Sequence, residues 1–149
     1  MKNGTKSFFY TGPVSAEQLS SIISEYENGS GAHTIFLGRV RPDKHGDREV
    51  VSIEYSAYTE MAEEIFKNIC SEVSDKYLLN GINILHSIGL VRSGEISLLV
   101  IVSAAHRENC FSACSEAVDR IKSEVPVWGK ELFSDAGFQW KKNRLQTNV

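Results

Sequence analysis

Residues 82–124 read INILHSIGLVRSGEISLLVIVSAAHRENCFSACSEAVDRIKSE: a strand, a turn, a second strand and a helix in one run. Ile82 to Ile88 and Ile96 to Ala104 are rich in β-branched and other apolar residues, which predicts two buried strands. Arg92-Ser93-Gly94-Glu95 between them supplies the turn. Beyond Ala105-His106-Arg107 the apolar spacing changes to the helical period of about 3.6 residues. Phe111, Cys114, Val118 and Ile121 then form one stripe of a helix from about Glu108 to Glu124, which Pro126 ends.

Working outward, Val127 to Phe133 and Phe138 to Lys142 read as short extended pieces around a Ser134-Asp135-Ala136-Gly137 turn. Upstream, Thr59 to about Ser74 carries Met61, Ala62, Ile65, Phe66, Ile69 and Val73 at helical spacing. Ala32 to Val40 and Glu49 to Ser56 read as strands, and with the polar loop Arg41 to Arg48 they suggest a long hairpin. Ser15 and Gln18 form a capping box for a first helix running to about Glu27, where Asn28-Gly29-Ser30-Gly31 stops it. The order α-β-β-α-β-β-α-β-β predicts an α+β fold with hairpins alternating with helices. No strand leads into a Gly-rich phosphate loop.

A chain of 149 residues suits one domain spanning 1–149. The net charge of −3 argues against indiscriminate nucleic-acid binding, which needs an overall basic surface. No apolar run is long enough to span a membrane, and the first ten residues do not read as a secretory signal. Cys70, Cys110 and Cys114 are too few and too odd in number for a disulfide framework, so a cytoplasmic setting is expected.

Four places carry candidate chemistry. Arg39 and Arg41 flank Val40 at the mouth of the first strand, and strand alternation sends both to one side. Two guanidiniums there make a clamp for phosphate or carboxylate, or else a solvated strand end. His106-Arg107 opens the last long helix. The helix dipole disfavours a cation at that position, so an arginine there suggests an anionic visitor; an exposed first turn is the plainer alternative. Lys122 and Lys130 offer proton transfer or anion stabilisation, although Lys122 also complements the dipole at the helix C-terminus. Arg107 and Lys122 are ~22 Å apart along one helix, so a small ligand touching both requires a second copy of the chain. His106, Cys110 and Cys114 share a helical face, but no fourth ligand has recognisable spacing and Cys114 lies on the apolar stripe; no metal site is expected. His33 and His86, inside strands, read as core or edge residues.

In order along the chain, the following stretches resemble the molybdopterin synthase large-subunit family over Gly31 to Lys142: Gly31 to Arg41, Glu54 to Ala62, His86 to Gly89, Ala104 to Arg107 with Phe111, Ile121 to Glu131, and Trp140. The resemblance implies an α/β hammerhead with an additional antiparallel β-sheet. It also implies a homodimer within a heterotetramer, each end of which carries a small ubiquitin-like sulfur carrier with a C-terminal Gly-Gly thiocarboxylate. The implied reaction is sulfur transfer to cyclic pyranopterin monophosphate, giving the dithiolene of molybdopterin without a further cofactor. Substrate contacts carry over to Arg39, Val40, Arg41, His106, Arg107, Lys122, Gly129, Lys130 and Glu131, and catalysis to Lys122 with Lys130. Two positions depart from the family pattern. Gly129 stands where the first of two lysines is usual. Lys130 either takes over by turning inward on a backbone that glycine loosens, or activity is reduced. Ser87 follows His86 where the family often has arginine. The alternative function is a non-catalytic dimer that binds the carrier or an anionic ligand.

Overall fold

A computed structural model describes residues 7–26 and 29–141. In chain order the elements are β1 (Phe9–Thr11), α1 (Ala16–Ser24), β2 (Ala32–Arg39), β3 (Lys44–His45), β4 (Arg48–Ala57), α2 (Thr59–Tyr77), β5 (Gly81–Arg92), β6 (Ile96–Ala104), α3 (Arg107–Glu124), β7 (Val127–Phe133) and β8 (Phe138–Trp140). The strands form one sheet in the order β2-β6-β5-β4-β7-β8, with β1 beside β5 and β3 beside β4. All pairs are antiparallel except β1–β5. This is the expected α+β class.

β6 organises the first half of the sheet. Its Leu98, Val100, Val102 and Ala104 pack under α2 and α3 with Ala62, Phe66, Ile69, Val73, Cys110, Ala117 and Ile121. The alternate residues Leu99 and Ile101 face the other way, onto Val14 and onto Leu19 and Ile22 of α1. Both faces are covered, which explains an apolar run without polar alternation. β5 then links two halves. Gly81 to His86 pair with β6, whereas Gly89 to Arg92 pair with β4. Gly89, at φ +85°, adopts a backbone that side chains disfavour and sits at that handover. The second half closes over Val40, Val50, Ile53, Val91 and Phe133.

Several expectations change. The long hairpin between β2 and β4 does not form: among the described residues β2 pairs only with β6, and β4 lies between β5 and β7. Instead the loop folds onto β4 alone through Lys44↔Glu49 and His45↔Arg48, turning at Gly46. Val40 is meanwhile drawn to the β5–β6 turn, its N–H donating to the Glu95 carbonyl and its carbonyl accepting from Gly94. Phe111 is not on the buried stripe of α3 and is 62% exposed, because the stripe runs through Cys110, Ala113, Cys114, Ala117, Val118 and Ile121. Met61 is likewise exposed on α2.

The capping box is present, with the Ser15 N–H donating to Gln18 Oε1 at 2.7 Å and the Gln18 N–H to Ser15 Oγ at 3.3 Å. The helix ends at Ser24, before Glu27, because Tyr26 turns down to accept a hydrogen bond from Asn83 and to pack edge-on against His33. Glu27 and Asn28, like Lys142 at the far end, lie outside the described residues. β1 was not expected, since so short a segment carries no period of its own. No described helix is long and apolar enough to cross a membrane.

Candidate active site

The candidate residues fall into two groups at opposite ends of the β2–β6 pair. At one end, Ala105, His106, Arg107 and Glu108 line a shallow cavity of about 390 Å³ together with Gly31. His106 is the N-cap of α3, with extended backbone and no side-chain cap, so the first-turn N–H groups point outward beside two basic side chains. Gly31 is required here: a Cβ would fall 2.1 Å from the Ala105 carbonyl oxygen.

At the other end, Arg39 and Arg41 are exposed on either side of the buried Val40, as alternation predicts. Arg39 Nη1 donates to the Gly94 carbonyl at 2.7 Å, and Arg41 Nη2 lies 3.4 Å from Asp43 Oδ2. From Gly31 to Arg39 the strand covers ~26 Å, so this pair and the His106–Arg107 corner do not meet within one protomer. Lys122 is also remote from that corner, because α3 is a single continuous helix between them.

Lys122, exposed in the last turn of α3, instead lies close enough to His86 for its charge to act on the imidazole. The flanking Ile121 and Val125 are buried with Ile84 and with Leu98, the cross-strand partner of His86. His86 is itself buried. Its Nδ1 donates to the Ser87 carbonyl at 2.7 Å, and its ring meets Tyr55 edge-on at 5.3 Å and Phe9 at 6.3 Å. Tyr55 donates to Ser97 Oγ at 3.3 Å, and burial pushes its phenol up. Ser87 is fully buried and faces the Ile96 carbonyl, so position 87 serves packing.

Tyr55 pairs with Gly129, whose missing Cβ would lie 3.5 Å from Tyr55 Cε1 and 3.1 Å from Ile53 Cγ2. Gly129 therefore faces the His86 side, and strand alternation turns Lys130 to the opposite face. There Lys130 Nζ sits 4.2 Å above the Phe138 ring, held by cation–π attraction, and does not turn inward toward Gly129's side. Glu131 returns to the inner face and is 5% exposed. It accepts from Gln139 Nε2 at 3.2 Å, with His45 Nε2 at 3.6 Å.

Burial, with help from the Lys122 charge and against the Ser87 carbonyl, lowers the His86 imidazole from 6.5 to about 4. Between these values the unfolded chain takes up a proton that the folded chain refuses. The stabilisation is therefore complete above the ordinary histidine range and is lost as pH falls through the window. Denaturant midpoints are expected to drop from about pH 7 to about pH 5, and His86→Phe to flatten part of that slope. An identical slope in the variant would contradict this assignment.

The three cysteines are free thiols. Burial pushes Cys114 up to about 11 and Cys70 to about 12, which keeps both protonated and poorly nucleophilic. Among the described residues no group of His, Cys, Asp and Glu could hold a metal ion. Reading the sequence singled out Lys122 and both basic pairs but not Tyr55 or Ser97. Tyr55 lies in the Glu54 to Ala62 stretch that carries the resemblance, whereas the only signal for Ser97 was its place on a strand that flanks the candidate residues.

A family model described as MoaE protein matches residues 10–124. The molybdopterin synthase catalytic subunit of Bos taurus is 39% identical over 114 residues, 76% of this chain and 60% of that protein. This chain thus spans less than two thirds of the length of the first curated relatives it matches. The protein of the same description from Bacillus subtilis (strain 168) is 36% identical over 137 residues, 92% of this chain and 85% of that one. Among solved structures, molybdopterin synthase from Staphylococcus aureus superposes with a TM-score of 0.82 at 32% identity, covering 93% of this chain and 99% of that one.

Proposed function

Because the chain belongs to the MoaE protein family, we propose that it is the large, catalytic subunit of a molybdopterin synthase. Its substrates are the thiocarboxylated C-terminus of a small ubiquitin-like carrier and cyclic pyranopterin monophosphate. It works as a cytoplasmic sulfurtransferase in molybdenum-cofactor synthesis, a setting that its three free thiols suit.

One observation carries the reading: the basic groups suited to an anionic pterin lie at the two ends of an open edge strand. Among the described residues, β2 has a neighbour only on the β6 side. Beside it runs an apolar groove lined by Ile35, Phe36, Phe111 and Val118, with Ile35 and Phe111 exposed. An open strand edge next to exposed apolar side chains favours a second copy of the same chain, paired about a two-fold axis. Antiparallel pairing of β2 with its copy about Ile35 and Phe36 sets Arg39 and Arg41 beside the Gly31 and His106–Arg107 corner of the second copy. Arginine forks and an open helix N-terminus then hold the substrate phosphate. Lys122 stabilises the tetrahedral anion formed as the acyl–sulfur bond breaks.

The direct assay combines the protein, thiocarboxylated carrier and cyclic pyranopterin monophosphate, and molybdopterin is the expected product. Its absence, under conditions where an established synthase is active, overturns the proposal. Gly129 favours a second reading, a dimer that binds carrier or anion without turnover; carrier binding with no product selects it. Lys130→Ala is expected to change kcat by less than about threefold, since its ammonium rests on Phe138 on the opposite face. A loss of a hundredfold would instead assign Lys130 to the chemistry.

A further inference from the structure

We propose that Lys141 supplies a second ammonium to the candidate site: its side chain crosses the bare backbone of Gly129 on the inner face of β7 and meets the carrier's C-terminal thiocarboxylate there. The inference rests on the proposed reaction and adds a residue to it.

Lys141 directly follows β8 and continues its pairing with β7. Its N–H donates to the Gly129 carbonyl at 2.8 Å, one step beyond the Lys130↔Trp140 pair. Residues opposite each other on antiparallel strands send their side chains to the same face. A Cβ at Gly129 would accordingly lie 3.7 Å from Lys141 Cβ, as well as 3.5 Å from Tyr55 Cε1. Lys141 therefore stands on the Tyr55 side, whereas Lys130 rests on Phe138 on the outer face.

A lysine stem carries its ammonium about 5 Å beyond Cβ, farther than either of those separations. With no side chain at position 129, that stem has a path toward the edge of the Tyr55 ring. Glu131 is the carboxylate on the same face of β7, and its oxygens already lie beside Gln139 Nε2 at 3.2 Å and His45 Nε2 at 3.6 Å. Lys141 is exposed, so its charge is open to an anion arriving from solvent. That anion is the carrier terminus and not the pterin phosphate, since the phosphate-holding groups lie at the two ends of β2. Tyr55 instead packs on His86, the ring on which the Lys122 charge acts. Two ammoniums at one acyl group share the negative charge that it bears and develops.

The test uses the dimer with thiocarboxylated carrier. Lys141→Met keeps an apolar stem and loses the charge. Loss of one charge-assisted hydrogen bond predicts a fall in kcat of about 30-fold, with KM for cyclic pyranopterin monophosphate within about twofold. Gly129→Lys added to Lys141→Met delivers the ammonium from the facing strand and should return kcat to within about fivefold of wild type. The new Cβ meets Ile53 Cγ2 at 3.1 Å, which asks that side chain to give by a few tenths of an ångström. Should thermal melts show the double variant unfolded, Lys141→Arg, which restores the charge in place, is held to the same recovery. A stem that only packs would leave Lys141→Met near the wild-type rate. A kcat within about threefold of wild type, a change confined to KM for the pterin, or no recovery in the folded rescue variant overturns the proposal.

A second readout needs no turnover. Carrier ending in an ordinary carboxylate, at concentrations well above its Kd, should slow acetylation of Lys141 by acetic anhydride by at least about fivefold. Carrier lacking its last two residues should not, as read by mass spectrometry. If the wild type makes no product, the proposed reaction fails while this comparison still tests where the carrier terminus lies. Equal acetylation with both carriers overturns the proposal.

Discussion

Lys122→Ala is expected to lower the rate of molybdopterin formation by about a thousandfold, the scale seen when a group that stabilises developing anionic charge is removed. The side chain is exposed at the end of α3. Stability should therefore change by less than about 1 kcal/mol, and the dimer and its carrier complex should persist. Single-turnover assays with thiocarboxylated carrier, read beside a thermal melt, separate the two effects. Turnover within tenfold of wild type would remove Lys122 from the mechanism. An equal loss of melting temperature would make its role structural.

Arg107→Ala is the second large effect, and it should move activity and stability in opposite directions. Arg107 is the first residue of α3, where the positive end of the helix dipole opposes a cation. Removing it should stabilise the folded chain by a few tenths of a kcal/mol. Losing a forked contact to the substrate phosphate should raise KM for cyclic pyranopterin monophosphate by about a hundredfold. Arg107→Lys should recover only part of this, since a point charge cannot replace the planar fork. A residue kept for stability would give the reverse pattern, with the alanine variant melting lower and binding the pterin normally.

Much of the architecture could be read from local signals. The Ser15–Gln18 box, the change of spacing after Ala105 and the stop at Pro126 are all short-range chemistry, and each is found where expected. Strand partners are a different matter. β2 and β4 are close in sequence, yet Val40 is captured by the β5–β6 turn and the intervening loop closes on β4, which no local pattern announces. β1 is a strand only because β5 lies beside it.

The site divides along the same line. The helix rise alone separates Arg107 from Lys122, so the condition that a small ligand touching both requires a second copy is legible before any coordinates. The inner face of β7 was not deducible: Gly129 and Glu131 turn toward Tyr55 and the second core, and Lys130 turns away onto Phe138. The neighbourhood of His86 and Lys122 arises from packing α3 across the sheet, far from either residue in sequence.

Subunit mixing examines the shared pocket without relying on any one rate. Lys122→Ala and Arg107→Ala are purified separately, each with greatly reduced activity, and then allowed to exchange chains. In a mixed dimer one pocket lacks both groups while the other has an intact Lys122 from one chain and an intact Arg107 from the other. Random exchange should therefore restore about a quarter of wild-type activity. No recovery, with mixed dimers demonstrated by native mass spectrometry, would mean that the two residues do not serve one pocket across two chains.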